Sequence, residues 1–310
     1  MAPPDTKAYE IPEATATGTV AFGEFATWYR VTGTLEATGD KAPLVVLHGG
    51  PGAAHNYCLA MANLSRDGRA VVHYDQVGCG NSTHLPDADP GFWTPDLFVR
   101  ELRNLVDALG IGTRFHLLGQ SWGGMLAPEF MLADGAGVAS MTICDSPASM
   151  DLWLDAANTL RAGLPEDVQA TLLRHEEAGT TDSPEYEEAM QVFYARHVCR
   201  VQPFPAEVQA TFDQLAAEPT VYHTMNGPSE FHVIGSLKSW SVIDRLDRIS
   251  IPTLVVAGAH DEATPATWQP FVERIPGAQS HVFPESSHMP HVEEPDAFLS
   301  VVGDFLQQHD

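Results

Sequence analysis

The sequence predicts an α/β protein: a mostly parallel sheet with helices on both faces and an inserted helical cap. Three observations lead there. Short, unbroken apolar runs recur, as strands buried in a parallel sheet require. They alternate with stretches of helical periodicity, the pattern that lays helices against such a sheet. Residues 148–240 contain no buried-strand run and show amphipathic helical patterns instead. The predicted division is a core of 1–147 and 241–310 with 148–240 as the cap.

Residues 1 to about 17 are rich in Pro, Ala and Thr and read as a loose lead-in. Gly18 to Val31 reads as a hairpin with Gly23-Glu24 near its turn. Leu44-Val45-Val46-Leu47 is an apolar run of strand length that ends in the tight loop His48-Gly49-Gly50-Pro51-Gly52. Ala70-Val71-Val72-His73-Tyr74 is a second run, ending in Asp75-Gln76-Val77-Gly78-Cys79-Gly80-Asn81-Ser82. Pro95 opens a helix with apolar positions Leu97, Phe98, Leu102, Leu105, Val106 and Leu109, and Gly110 stops it. Phe115-His116-Leu117-Leu118 is a third run, leading into Gly119-Gln120-Ser121-Trp122-Gly123 and then good helix formers to Ala133.

Val138 to Cys144 reads as another strand. The cap follows, with helices expected over Met150–Leu160, Pro165–His175, Pro184–His197 and Pro205–Leu215, the prolines at first helical positions. Tyr186, Phe193, Tyr194, Tyr222 and Trp240 are candidate pocket linings, though most aromatics in such insertions are plain core. The sheet pattern resumes at Ile251 to Gly258 and again at Ser280 to Phe283, and a helix from Pro295 to Gln307 closes the chain.

The bulk numbers narrow the function. The chain has 310 residues and a formal net charge of −25, which argues against nucleic acid or anionic membrane as partner. No apolar stretch approaches the length of a membrane span. Met1 to Lys7 lacks a basic segment followed by an apolar one, so no secretory signal is expected. Cys58, Cys79, Cys144 and Cys199 are scattered and read as thiols in a reducing compartment, hence a cytoplasmic location. No metal cluster or cofactor fingerprint appears, and neither is expected. Oligomeric state is not legible.

The chemistry concentrates around Ser121. A G-x-S-x-G stretch between strand and helix is a nucleophile elbow: the turn exposes the serine and aims a helix N-terminus at it. The plain alternative is a serine in an ordinary strand-to-helix turn. Serine needs a base to take its proton, commonly a histidine oriented by a carboxylate. In this kind of sheet the expected chain order is Ser, then acid, then His. Asp261 follows the strand after the cap, and His288 follows the next strand. Asp145 and Glu262 compete as acids, and His48, His260 and His291 as bases. For any one of the 14 histidines a surface or satisfied core position is the plain alternative. His288 stands out by its position after a strand and in chain order, whereas His48 reads as a loop brace. The oxyanion of an acyl-transfer reaction needs donors. The Trp122 N–H, at the start of the elbow helix, is one. Pro51 has no N–H, so Gly50 is the choice for the other.

With these motifs in place the chain resembles the α/β-hydrolases, and within them the proline iminopeptidase family with its related amino-acid amidases. The resemblance spans about residues 40–310 and rests on His48-Gly49-Gly50-Pro51-Gly52, Asp75 to Ser82, Gly119 to Gly124, Asp261-Glu262-Ala263-Thr264-Pro265 and Ser287-His288-Met289. It implies the triad Ser121, Asp261 and His288. It also implies that acidic side chains hold the substrate's free amine: Glu262 beside the triad aspartate, and Glu230 in Met225-Asn226-Gly227-Pro228-Ser229-Glu230-Phe231. Without the resemblance both glutamates read as solvated charge. His291 stands where many relatives carry an aromatic, which implies a different pocket wall. The expected activity is a serine hydrolase acting through an acyl-enzyme on a small-molecule or short-peptide substrate with a free amine, releasing proline or another small or apolar N-terminal residue. An esterase or acyltransferase using the same triad without amine recognition is the alternative, and a non-catalytic binding protein on this fold is a third reading.

Overall fold

The computed structural model describes residues 9–35 and 41–310. The expected lead-in lies partly outside the described residues. β1 (Ala16–Phe22) and β2 (Phe25–Thr32) form the hairpin around Gly23 and Glu24. They continue into one eight-stranded sheet with β3 (Leu44–Leu47), β4 (Val71–Asp75), β5 (Phe115–Gln120), β6 (Val138–Cys144), β7 (Thr253–Gly258) and β8 (Gln279–Phe283), in the order β1-β2-β4-β3-β5-β6-β7-β8. β2 runs antiparallel to both neighbours, and from β4 to β8 every pairing is parallel. The carboxyl ends of β3, β4, β5, β6, β7 and β8 therefore lie along one rim.

Alternation along β3 explains the two layers, since successive side chains of a strand point to opposite faces. Leu44 and Val46 pack with Met61, Val302 and Phe305, while Val45 and Leu47 pack with Leu102, Leu126 and Phe130. The second face is covered by α1 (Pro95–Ala108) and α2 (Trp122–Ala133). Thr94 caps α1 by accepting from the Leu97 N–H at 3.3 Å, and Gly110 ends it at φ 71°. The first face is covered by a run of 3-10 turns over Asn56–Asp67, which the periodicity did not predict, and by the closing helix.

Between β6 and β7 the chain forms α3 (Met150–Arg161), α4 (Glu166–Ala178), α5 (Pro184–His197), α6 (Ala206–Ala217) and α7 (Thr220–Met225). Pro184 occupies a first helical position as expected, but Pro165 and Pro205 stand one residue earlier, at the N-caps. The insertion has a neck: the Met150 N–H donates to Trp240 O at 2.9 Å and the Val242 N–H to Ala148 O at 3.0 Å. After β7 comes α8 (Pro265–Arg274), absent from the sequence reading; Pro265 opens it, but Pro270 inside it interrupts the helical pattern. The short α9 (Pro290–Glu293) and α10 (Pro295–Gln308) complete the chain. Among the described residues no helix is long and apolar enough to cross a membrane.

Candidate active site

Ser121 occupies the turn between β5 and α2 with φ 55° and ψ −122°. A non-glycine residue there carries about 1–3 kcal/mol of strain, which its surroundings must offset. They do so through the backbone. Its N–H donates to Cys144 O at 2.9 Å, and its carbonyl accepts from the Gly124 N–H and the Ser146 hydroxyl, both at 2.8 Å. The flanking glycines are required by contact. A Cβ on Gly119 would lie 2.1 Å from Gly123 O, and one on Gly123 would lie 2.1 Å from Leu47 O.

His288 and Asp261 arrive from the loops after β8 and β7. The imidazole Nδ1 lies 2.7 Å from Asp261 Oδ1, which also accepts from the Ala263 N–H at 2.9 Å. With Nδ1 held by the carboxylate, Nε2 is the nitrogen left for chemistry. Ser121, His288 and Gly50 line one cavity. Burial works against charging His288, but Asp261, by charge and hydrogen bond, and the Glu230 and Glu293 carboxylates outweigh it and hold its pKa above the usual histidine value. Glu293, unnoticed in the sequence, pins this loop: it accepts from the Ser287 N–H at 2.6 Å, the Ser287 hydroxyl at 2.9 Å and the Arg200 N–H at 2.7 Å.

The rivals are placed differently. Asp145 is buried with its Oδ1 accepting from the Gly258 N–H at 3.2 Å. Burial, then the charge of Asp261, push it well above the carboxylate range, which favours its neutral form. His48 Nε2 accepts from the Gln76 N–H at 3.0 Å, and burial lowers its pKa to about 4, which suits a neutral brace. His260 is exposed. His291 is buried behind the cavity, with Nε2 3.0 Å from Tyr57 O. It is absent from the residues lining the cavities around Ser121, so the altered pocket wall expected there is not what its side chain forms.

Gly50 adopts φ 105°, and the Trp122 N–H opens α2; both residues line a second, smaller recess beside Ser121 with Met125, Pro147, Met150 and Trp153. The Trp122 ring is fixed by donating to Gln76 Oε1 at 2.9 Å.

Glu230 and Glu262 are near enough for the charge of one to act on the other, though only Glu230 lines the cavities around Ser121. Glu262 is 1% exposed and neither carboxylate oxygen has a hydrogen-bond partner; its Oε1 lies 3.9 Å from His288 Nε2, too long for a hydrogen bond. Glu230 accepts from the Tyr222 hydroxyl at 2.7 Å and lines both cavities around Ser121. Burial raises both carboxyls, and the Glu230 and Asp261 charges push Glu262 further, well above its usual value. The solvated-charge alternative therefore does not describe them.

The candidate aromatics divide. Tyr222 lines the serine cavity as well as a cavity of about 700 Å3 within the helical insertion, where Tyr186 and Tyr194 join it. Phe193 is core, packed on Phe231 at 4.8 Å, and Trp240 donates to Glu129 at the neck. Trp153 went unremarked in the sequence; its ring stands edge-on to His288 at 6.0 Å while its Nε1 donates to Glu230 O at 2.7 Å. No single-residue signal marks it, because the contact joins segments far apart in the chain.

Comparison with known proteins places the chain in a family. Residues 42–295 match the family described as the alpha/beta hydrolase fold. The chain is 39% identical over 278 residues to a proline iminopeptidase of Heyndrickxia coagulans, covering 88% of this chain and 93% of that protein. Among solved structures it is similar to a proline iminopeptidase of Mycobacterium smegmatis, with a TM-score of 0.88 and 57% identity over 95% of this chain and 98% of that one. It is also similar to VinJ, with a TM-score of 0.94 and 52% identity over 96% and 100% of the two chains.

Proposed function

Because the chain belongs to the proline iminopeptidase family of α/β-hydrolases, we propose that it is a serine hydrolase releasing an N-terminal amino acid from short peptides or amino-acid amides. Ser121 Oγ attacks the carbonyl carbon of the first residue while His288 Nε2 takes its proton. Asp261 keeps the proton on Nδ1 and stabilises the imidazolium. The N–H groups of Gly50 and Trp122 receive the oxyanion. The imidazolium then protonates the departing nitrogen, leaving an acyl-enzyme that water hydrolyses by the same route.

Recognition rests on Glu230 and Glu262. One observation carries it: a carboxyl group buried to 1% exposure, with both oxygens unpartnered, under the charge of a second, partly buried carboxyl, Glu230, that lines the serine cavity. An unpaired buried charge costs several kcal/mol, so the group waits for a cation or keeps a proton. The α-ammonium of a substrate supplies the cation. The small recess lined by Met125, Met150, Trp153 and Leu237 suits a small or apolar first side chain, proline among them. The neck at Ala148–Met150 and Trp240–Val242 supports reading 148–240 as the cap, and four unpaired buried thiols suit a cytoplasmic enzyme.

A panel of aminoacyl amides and anilides, proline included, tests this with the amine free and acetylated. Acetylation is expected to lower kcat/KM by about 100-fold or more, the scale of leaving a buried charge unpaired. Equal rates with free and acetylated substrates would remove the amine-binding role.

A further inference from the structure

We propose that Tyr57 is a positioning residue that holds the oxyanion loop, the nucleophile elbow and the histidine loop in one frame through its hydroxyl, resting on the reading of Ser121 and His288 as the reacting pair.

The bonds form a directional chain. The Gly49 N–H donates to Tyr57 Oη at 2.7 Å. The Tyr57 hydroxyl donates to Gln120 Oε1. The Gln120 Nε2 group donates to His288 O at 2.8 Å. Gly49 immediately precedes Gly50, Gln120 immediately precedes Ser121, and the last acceptor is the carbonyl of His288 itself. Each link is thus one residue or less from a reacting group. Tyr57 is 3% exposed and Gln120 0%, so no water competes for these bonds. Burial pushes the phenol well above its usual pKa, so the hydroxyl remains a donor throughout the working range.

The backbone of Tyr57 extends the frame. Its N–H donates to Thr211 Oγ1 at 3.1 Å, on α6 of the insertion, and its carbonyl accepts from His291 Nε2 at 3.0 Å. Val208, Thr211, Phe212 and Leu215 of α6 line the serine cavity with Tyr57, so the same residue joins the cavity's helical wall to its catalytic floor. There is no slack in the arrangement: a Cβ on Gly49 would lie 2.6 Å from Tyr57 Oη and 2.9 Å from Ser121 Cβ.

Removing the hydroxyl strands the Gly49 N–H and Gln120 Oε1, two buried polar groups whose only relief is to move. A displacement near 1 Å at reacting groups lowers rates by up to about 100-fold. Tyr57→Phe is therefore expected to lower kcat by about 10- to 100-fold with KM nearly unchanged. An aminoboronic acid, whose tetrahedral oxygen occupies the oxyanion position, should lose affinity by the same factor. The free amino acid product, which needs only the amine site, should not. The acid limb of the pH profile, set by His288, should stay in place.

Gln120→Met cuts the same chain at its next link. The double variant should be no slower than the slower single one, since both break one frame. Should Tyr57→Phe fail to fold, Gln120→Met carries the same kcat and boronate readings. A Tyr57→Phe enzyme with unchanged kcat and boronate affinity, beside an inactive Ser121→Ala control, would overturn the proposal and leave the site reading intact. Activity surviving in Ser121→Ala would instead overturn the site reading.

Discussion

Asp261 and Glu262 are neighbours in the chain, both buried, yet they mark two corners of the candidate site built on opposite plans. In the reacting corner, Asp261 has a histidine at 2.7 Å and a backbone N–H at 2.9 Å. In the acidic corner, Glu262 has no hydrogen-bond partner on either oxygen. On the proposed function the first corner holds its histidine in place before substrate arrives, because the charges it would serve appear only during the reaction. On the same reading the second is left open for a charge that arrives with the ligand. Two carboxylates one residue apart thus differ in their partners rather than their depth.

The comparison breaks most readily at Asp261. Asp261→Asn should lower kcat by about 10⁴-fold, the loss expected when the imidazole takes the wrong tautomer. Asp145→Asn keeps the side chain's shape and removes only an acid that is already neutral, so kcat should hardly change. If the two variants fell equally, Asp145 would belong to the reacting corner after all. Steady-state kinetics on each variant decides.

Glu262→Gln addresses the other corner. It should lower kcat/KM for free-amine substrates by about 10²- to 10³-fold, as loss of a buried charge partner does. Acetylated substrates, slow to begin with, should be cleaved at an unchanged rate. A loss shared equally by both substrate types would place Glu262 in catalysis rather than recognition.

The smallest effect joins the corners. On the proposed mechanism His288 must be neutral to accept the serine proton, and its pKa is raised above 6.5 by Asp261, Glu230 and Glu293 against the cost of burial. Activity should therefore fall as pH drops through a value above the ordinary histidine's. Glu230→Gln removes one negative neighbour, which lowers the imidazole pKa and moves that limb to lower pH by under about one unit. A limb unmoved in the variant's pH–rate profile would separate the two corners electrically.

The positions of Ser121, Asp261 and His288 after strands were legible in the sequence, and the proposed acidic corner was suggested only by resemblance. Ser121, Asp261 and His288 each follow a strand, and apolar runs ending in glycine loops reveal strand ends. A glycine at 119 or 123 records a backbone collision that any side chain would cause, so local spacing carries the information. Glu230 and Glu262 carry no such mark, because a glutamate in a loop is ordinary and its burial depends on helices packed from elsewhere. Tyr57 and Glu293 were invisible for the same reason: their partners lie up to 234 and 93 residues away in the chain. The missed elements have local causes. Asn56–Asp67 winds in 3-10 turns, which lack the α-helical period, and α8 carries Pro265 and Pro270.

The bare oxygens of Glu262 also give the protein a built-in reporter. A folded chain that confines an unsatisfied acid is less stable than it need be, and whatever neutralises that acid raises its melting temperature by mass action. Small ammonium compounds can therefore be ranked by thermal shift alone, with no chromogenic substrate, and those ranks would outline the shape of the natural one.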